Sequence, residues 1–116
     1  MHKIEDLKIW KKSIELAKEV YKTVSELPNE EKFGLTSQIK RCSVSIPSNI
    51  AEGAGRNSNK EFKHFLSIAN GSCYELQTQL ILTKELSLIN EFKIDSLLNL
   101  INEIQRMNYS LQKSIG

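Results

Sequence analysis

Four segments of the chain carry apolar residues at alternating steps of three and four, and this spacing constrains the fold more than any other feature. Such spacing places the apolar side chains along one face of a helix, where they can be buried together. The first stripe comprises Leu7, Trp10, Ile14, Ala17, Tyr21 and Val24. The second comprises Leu35, Ile39, Cys42, Ile46 and Ile50. The third comprises Phe62, Leu66, Ala69, Cys73, Leu76, Leu80 and Thr83. The fourth comprises Ile94, Leu97, Ile101, Ile104, Asn108, Leu111 and Ile115.

The breaks between the stripes carry residues that end or begin helices. Pro28 ends the first helix, because the residue before a proline avoids the helical conformation, and Asn29 is then placed to cap the second helix. Gly53 and Gly55 are expected to stop the second helix. The Ser58–Glu61 segment has the spacing of a capping box, which predicts that the third helix begins there.

Pro47 lies inside the second stripe and deprives one backbone carbonyl of its hydrogen-bond donor. The stripe keeps its register through Ile50, which predicts a kink at Pro47 rather than a break. The hydroxyl groups of Ser43 and Ser45 are expected to cover part of the lost hydrogen bonding.

Short connections force consecutive helices to run antiparallel. The sequence therefore predicts an all-α fold, an antiparallel up-down-up-down four-helix bundle that forms a single domain over residues 1–116. No segment alternates with a period of two for long enough to predict a strand. The residues expected to be largely buried in the bundle are Trp10, Ile14, Ile39, Ile46, Phe62, Leu66, Leu76, Leu80, Leu97 and Ile104.

Length and charge limit what the chain can be. At 116 residues it has room for one hydrophobic core, and a net charge of +2 excludes a histone-like polycation but not a local basic patch. The N-terminus carries acidic residues where a secretion signal needs an apolar stretch, and no apolar run approaches the roughly 20 residues that span a bilayer. We therefore expect a cytoplasmic protein with no membrane partner, in which Cys42 and Cys73 are reduced thiols.

Patterns that would indicate catalysis or metal binding are weak. Glu61–His64 has the Glu-x-x-His spacing of di-iron bundles, but such a site needs a second such element, and the other histidine is His2. Both cysteines lie on apolar stripes, where a thiol packs as a small hydrophobic group. Gly53–Gly55 lacks the preceding strand of a phosphate-binding loop. We expect no catalytic residues, no metal and no cofactor.

A second, polar stripe accompanies the apolar ones on helices two and three. On helix two its members are Gln38, Arg41, Ser45, Asn49, Glu52 and Arg56. On helix three its members are Glu61, His64, Ile68, Ser72, Glu75 and Gln79. One interpretation is a solvated face with weak ion pairs of about 0.3–0.5 kcal/mol each. The other is an oligomer interface, whose candidate residues are Gln38, Arg41, Asn49, Glu52, Ser72 and Glu75.

Gly71 interrupts the third helix near its middle. A glycine there costs about 1 kcal/mol relative to alanine. This cost favours a role in which the missing side chain lets another helix approach closely, whether that helix belongs to the same chain or to another.

Basic residues cluster around the predicted turn between helices two and three. The candidates for contact with nucleic acid are Lys40, Arg41, Arg56, Lys60 and Lys63. Between Gln38 and Leu66 they are opposed by two acidic residues, which leaves a modest electrostatic footprint for nucleic acid. Ordinary solvated side chains are the competing interpretation.

The central third of the chain resembles one bacterial family. The residues that carry the resemblance are Phe33–Leu35, Gln38, Arg41, the run Ser45–Gly53, Arg56, Glu61, Phe62, Phe65, Leu66, Ile68, Ala69, Gly71, Ser72 and Glu75, with Asp6, Leu7, Trp10 and Leu82–Leu88 in agreement. This family is that of the ribosomal intervening-sequence proteins, four-helix bundles encoded inside insertions of 23S ribosomal RNA genes. Ser13 and Cys42 depart from it, since alanine is expected at both positions.

The resemblance implies a homo-oligomer, commonly a pentamer. It also implies a likeness to the accessory variability determinant protein of diversity-generating retroelements, which binds nucleic acid and a reverse transcriptase. We therefore expect a non-enzymatic oligomeric binding module whose ligand is RNA, with the ribosome or a reverse transcriptase-like protein as further partners. The alternative is a protein-interaction scaffold without affinity for nucleic acid.

Overall fold

Helices account for nearly all of residues 2–116, the part of the chain that the computed structural model describes. The four α-helices are α1 (Lys8–Val24), α2 (Leu35–Ala54), α3 (Asn59–Glu85) and α4 (Glu91–Ser114). Short 3-10 turns, Ile4–Asp6 and Asn29–Glu31, precede α1 and α2. No strand occurs within residues 2–116, so the predicted all-α, four-helix fold is confirmed. None of these helices is both long and apolar enough to cross a membrane.

Each helix packs against the two helices that neighbour it in a four-membered ring, and α2 and α3 make the most extensive contact. The ion pairs between the α1 and α4 regions run in opposite sequence order. Lys12 near the start of α1 pairs with Glu103, whereas Glu26, just after α1, pairs with Lys93 near the start of α4. Contact partners in reverse order are the pattern of antiparallel packing.

The core confirms most of the predicted buried positions. Those that are buried are Ile39, Ile46, Phe62, Leu66, Leu76, Leu80, Leu97 and Ile104. They form one continuous cluster with apolar residues of α1. The stripes predicted for α2, α3 and α4 therefore point into the bundle.

The burial predicted for Trp10 and Ile14 in α1 is confirmed only in part. Both side chains are only half-buried, and Tyr21 on the same stripe is 45% exposed. The buried residues of α1 lie mostly one position away from the predicted stripe and comprise Ile9, Ser13, Leu16, Val20, Thr23 and Val24. Leu27, which follows the helix, is buried as well. Ser13 can occupy the core because its hydroxyl donates a 2.7 Å hydrogen bond to the carbonyl oxygen of Trp10. α1 thus carries two apolar stripes: one is fully buried, and the other is mostly half-buried, with Trp10 packed against the core and Tyr21 exposed.

α2 runs from Leu35 to Ala54 without interruption at Pro47. The hydroxyl of Ser43 donates to the carbonyl of Lys40, and that of Ser45 donates to the carbonyl of Cys42. These bonds engage carbonyls one turn earlier, so they do not replace the donor that Pro47 lacks. The kink itself stays a prediction.

The helix ends agree in part with the predicted signals. The hydroxyl of Ser58 accepts a 3.1 Å hydrogen bond from the backbone N–H of Glu61, which confirms the cap of α3. The expectation that Asn29 caps the second helix is wrong, because α2 begins at Leu35 with Gly34 in the N-cap position. Asn29 is instead the first residue of the 3-10 turn Asn29–Glu31, which lies between Pro28 and the start of α2.

Gly53 does not stop α2; it lies buried inside the last turn of the helix. A Cβ atom at this position would lie 2.7 Å from the Cβ of Phe65 and 3.0 Å from the ring of Phe62. The glycine is therefore required for α2 and α3 to approach one another. Gly71, in contrast, has nothing within 4 Å of a Cβ position, so no other helix of this chain approaches it.

These two glycines provide a matched pair of substitutions. We expect Gly53→Ala to lower the free energy of unfolding by about 1–3 kcal/mol, because the added methyl group overpacks the α2–α3 contact. Gly71→Ala adds the same group to an open helix position, and we expect it to raise stability by up to about 1 kcal/mol. Urea denaturation followed by circular dichroism measures both values. Equal effects of the two variants would contradict the packing described here.

Candidate functional site

The polar stripe predicted on helices two and three lines a real groove. The groove encloses about 420 Å³ between α2 and α3, and we call it the α2–α3 groove. Its lining residues are Gln38, Arg41, Cys42, Ser45, Ser72, Glu75 and Gln79. Four of the six predicted interface residues, Gln38, Arg41, Ser72 and Glu75, therefore lie together. The antiparallel packing of two helices with three- and four-residue spacing brings them there.

The floor of the α2–α3 groove is formed by a thiol that is not reactive. The Sγ atom of Cys42 donates a 3.2 Å hydrogen bond to the carbonyl oxygen of Ser72. Burial raises the pKa of the Cys42 thiol to about 12, and the nearby Glu75 carboxylate adds to the shift. Burial likewise raises the pKa of Cys73 to about 12. Because the thiolate is the nucleophile, both cysteines are inert at neutral pH.

The other two predicted interface residues lie nearer the turn between α2 and α3. Asn49 is half-buried, and its side-chain amide donates a 2.8 Å hydrogen bond to the carbonyl of Ser45. The carboxylate of Glu52 is exposed and accepts a 3.2 Å hydrogen bond from Arg56. Neither residue lines the α2–α3 groove.

The five basic residues predicted to contact nucleic acid do not form one patch. Lys40 faces α1, where its Nζ lies 5.0 Å from the ring centre of Tyr21. Arg41 lines the α2–α3 groove on the opposite side of the same helix. Consecutive residues of a helix point in directions about 100° apart, which separates these two side chains although they are adjacent in sequence.

Arg56 is the most constrained of these basic residues. Its guanidinium group pairs with Glu52 and lies 3.9 Å from Glu61, and it stacks 4.9 Å above the ring centre of Phe65. Two neighbouring carboxylates offset its charge. Lys60, at the start of α3, is exposed, and Lys63 points toward α4.

A second groove, between α3 and α4, is where Lys63 lies. We call it the α3–α4 groove; it encloses about 390 Å³. Its lining residues are Lys63, Asn70, Gln105, Asn108, Tyr109, Gln112 and Lys113. All of these side chains are amides, bases or a phenol, and none is acidic. Apart from Lys63, the sequence analysis did not predict this site.

The floor of the α3–α4 groove is held by Asn108. This side chain is 2% exposed, donates a 2.8 Å hydrogen bond to the carbonyl of Leu66, and accepts a 2.6 Å hydrogen bond from Gln112. Asn108, which the sequence placed on the fourth apolar stripe, therefore links α3 and α4 through a buried hydrogen bond. A buried amide with partners on two sides fixes the geometry of the groove.

A third surface lies along α1, on the half-buried stripe beside its fully buried residues. We call it the α1–α2 apolar face and define it as Trp10, Ile14, Ala17, Tyr21 and, on α2, Val44. Val44 is 41% exposed and lies one turn from Lys40, which contacts Tyr21. Trp10, Ile14 and Ala17 are half-buried and Tyr21 is exposed. Apolar side chains left partly exposed along one face of a bundle are a feature of interaction surfaces.

Comparison with known proteins identifies the origin of this arrangement. A family model described as 23S rRNA-intervening sequence protein matches residues 5–110. The chain belongs to the 23S rRNA-intervening sequence protein family. No match was found among curated proteins. The likeness to the accessory variability determinant protein stays a prediction.

A solved structure supports membership in this family. It is the crystal structure of a protein with unknown function from the S23 ribosomal protein family of Bacteroides thetaiotaomicron VPI-5482. The two sequences are 28% identical, and the match covers 90% of this chain and 98% of that chain with a TM-score of 0.81. The whole bundle, rather than a part of it, is therefore shared.

The residues that carry the resemblance to the 23S rRNA-intervening sequence family have structural roles in this chain. In the run Ser45–Gly53, Ile46, Pro47 and Ile50 are buried and Gly53 sets the distance between α2 and α3. Among residues 2–116, no group of three or more His, Cys, Asp or Glu side chains is placed to hold a metal ion. The buried part of this motif thus builds the bundle, whereas Gln38, Arg41, Ser72 and Glu75, which also carry the resemblance, line the α2–α3 groove.

Proposed function

We propose that this chain is a non-enzymatic module that binds RNA as a homo-oligomer in the cytoplasm. The observation that carries the proposal is the α3–α4 groove, whose lining combines cationic, amide and aromatic side chains and lacks any acid. Lysines neutralise phosphates, amides hydrogen-bond to base edges, and an exposed aromatic ring stacks on bases. Membership in a family described by 23S rRNA intervening sequences agrees with RNA as the ligand.

The distribution of ion pairs supports a polyanionic partner. Among residues 2–116, five basic side chains make ion pairs, and these are Lys12, Lys22, Arg56, Lys84 and Lys93. Lys60, Lys63 and Lys113 make none. Their charges are therefore available to phosphate groups near one end of the α3–α4 pair.

Self-association is supported by the α1–α2 apolar face. The bundle buries a complete core without Ile14 and Tyr21, so these side chains do not serve the fold of the monomer. Covering them with a second copy would remove them from water. An oligomer also repeats the cationic groove, and several weak contacts then act together on one RNA chain.

A protein-interaction scaffold without affinity for nucleic acid is the second candidate function. The observation in its favour is the α2–α3 groove, in which Arg41 and Glu75 carry opposite charges. Such a mixed surface fits another protein better than it fits a polyanion.

One experiment separates the two candidates. Sedimentation velocity is measured for the protein alone and with a labelled fragment of 23S ribosomal RNA at about 50 and 200 mM salt. We expect the protein alone to sediment as a multiple of 13.3 kDa and to carry the RNA at low salt only, because neutralising several phosphates makes affinity fall steeply as salt rises. An oligomer that leaves the RNA behind at both salt concentrations would support the scaffold, and a 13.3 kDa monomer would contradict self-association.

A further inference from the structure

We propose that the α3–α4 groove holds an unpaired base of single-stranded RNA, with Tyr109 stacking on the base and Gln105 binding its edge. This inference rests on the proposed function, and it assigns to that function a position and a class of RNA. Three features of the groove suit such a base: an exposed aromatic ring, an amide without a hydrogen-bond partner, and flanking cations.

Tyr109 presents its ring to solvent at the mouth of the groove. The side chain is 66% exposed, and the Nζ of Lys113 lies 5.3 Å from its ring centre. The ring contributes nothing to the buried core. An exposed aromatic ring beside a cation is the arrangement on which bases of single strands stack, since every base offers a π-face.

Among the residues that line the α3–α4 groove, Gln105 carries a buried polar atom that lacks a partner. Its Nε2 is buried and makes no hydrogen bond among residues 2–116, whereas the amide of Asn108 beside it is engaged on both sides. An unpaired buried donor is unfavourable, so the fold gains if a ligand supplies the acceptor. Because Nε2 makes no hydrogen bond, turning the amide of Gln105 toward the groove that it lines would break no bond of that nitrogen.

The charges around the groove match a sugar–phosphate backbone on both sides of the base. Lys63 and Lys113 line the groove itself, and Arg106 lies in an adjoining groove that shares Gln105 and Tyr109. No acidic residue lines either groove. The carboxylate closest along α4, Glu103, pairs with Lys12 on the α1 side of the bundle. Asp6 and Glu103 lie on the other side of Arg106, where they line a separate groove between α1 and α4.

The class of RNA follows from the geometry of stacking. A base inside a duplex already stacks on its neighbours and pairs through the edge that Gln105 would contact. Only a base in a loop, a bulge or a single strand can place its face against Tyr109 and its edge against Gln105 together. The groove therefore favours unpaired RNA over a duplex of the same sequence.

The test compares affinities by fluorescence anisotropy for a short labelled RNA strand, single or annealed to its complement. We expect Tyr109→Ala to weaken binding of the single strand about 10- to 100-fold. Tyr109→Phe retains the ring and should bind within about twofold of the unmodified protein. Tyr74→Ala removes a similarly exposed tyrosine of α3, 61% exposed, and serves as the matched control with unchanged affinity. Circular dichroism verifies that each variant is helical.

The outcomes distinguish this inference from the function on which it rests. If the unmodified protein binds the single strand and Tyr109→Ala binds it equally well, the inference is wrong and the proposed RNA binding stands. Tighter binding of the duplex than of the single strand overturns the inference in the same way. If the unmodified protein binds neither RNA at about 50 mM salt, both the inference and the proposed function fail.

Discussion

Leu76→Ala is expected to lower the free energy of unfolding by about 2–5 kcal/mol, the largest effect of any single substitution considered for this bundle. Leu76 lies on the face of α3 that enters the core, and its side chain is fully buried. Alanine is the best helix former, so the loss arises from the cavity and from the lost burial rather than from the helix itself.

Leu82→Ala is the matched control for this substitution. Leu82 lies on the same helix but is 48% exposed, so its truncation should cost less than about 1 kcal/mol. Both variants are unfolded in urea at the same protein concentration, because self-association would make stability depend on concentration. Equal losses at Leu76 and Leu82 would contradict the assignment of the buried face of α3.

Reversing the charges of the three basic residues in or beside the α3–α4 groove is expected to have the largest effect on RNA binding. The variant carries Lys63→Glu, Arg106→Glu and Lys113→Glu. Each lost phosphate contact removes about one from the slope of log affinity against log salt, so the slope should become shallower by about three. We expect affinity at about 100 mM salt to fall at least about 100-fold.

The control for charge reversal carries the same number of substitutions elsewhere. Lys3→Glu, Lys8→Glu and Lys32→Glu change the net charge equally, and these residues lie outside the α3–α4 groove. A general attraction between the protein and RNA would respond to both triple variants alike. If RNA binds at the α3–α4 groove, the control variant should retain most of its affinity for RNA and most of its salt dependence.

The sequence predicted the buried faces of three helices because each has a single apolar stripe. α1 is different, since Ile9, Leu16 and Val20 compete with Trp10 and Ile14 for the interior. The serine at position 13 interrupts the stripe that is buried, and periodicity alone cannot show that its hydroxyl is bonded to the backbone. The stripe with more apolar residues was therefore assigned to the core, and most of it is instead only half-buried.

The candidate sites were predictable to different degrees for a similar reason. The α2–α3 groove follows from two polar stripes facing one another across a short turn, and both stripes can be seen in the sequence. The α3–α4 groove is formed partly by the exposed side of α4, where Gln105, Tyr109 and Gln112 recur at steps of four and three. This polar pattern lies outside the apolar stripe from which the fold was predicted. The basic residues between Gln38 and Leu66 are close in sequence, but the rotation of the helices directs them to three different faces. The sequence therefore predicted one basic patch where the structure has none.

The measurement that tests the account most directly is ultraviolet cross-linking of the intact protein to a photoreactive single-stranded RNA, followed by mass spectrometry of the linked peptides. Three other aromatic rings that are more than half exposed, Phe33 at 90%, Phe92 at 83% and Tyr74 at 61%, lie outside the α3–α4 groove and act as internal controls. The account predicts that cross-links concentrate at Tyr109 and disappear when an excess of unlabelled RNA is added. Cross-links at Phe33, Phe92 or Tyr74 with none at Tyr109, or the absence of any cross-link at low salt, would contradict it.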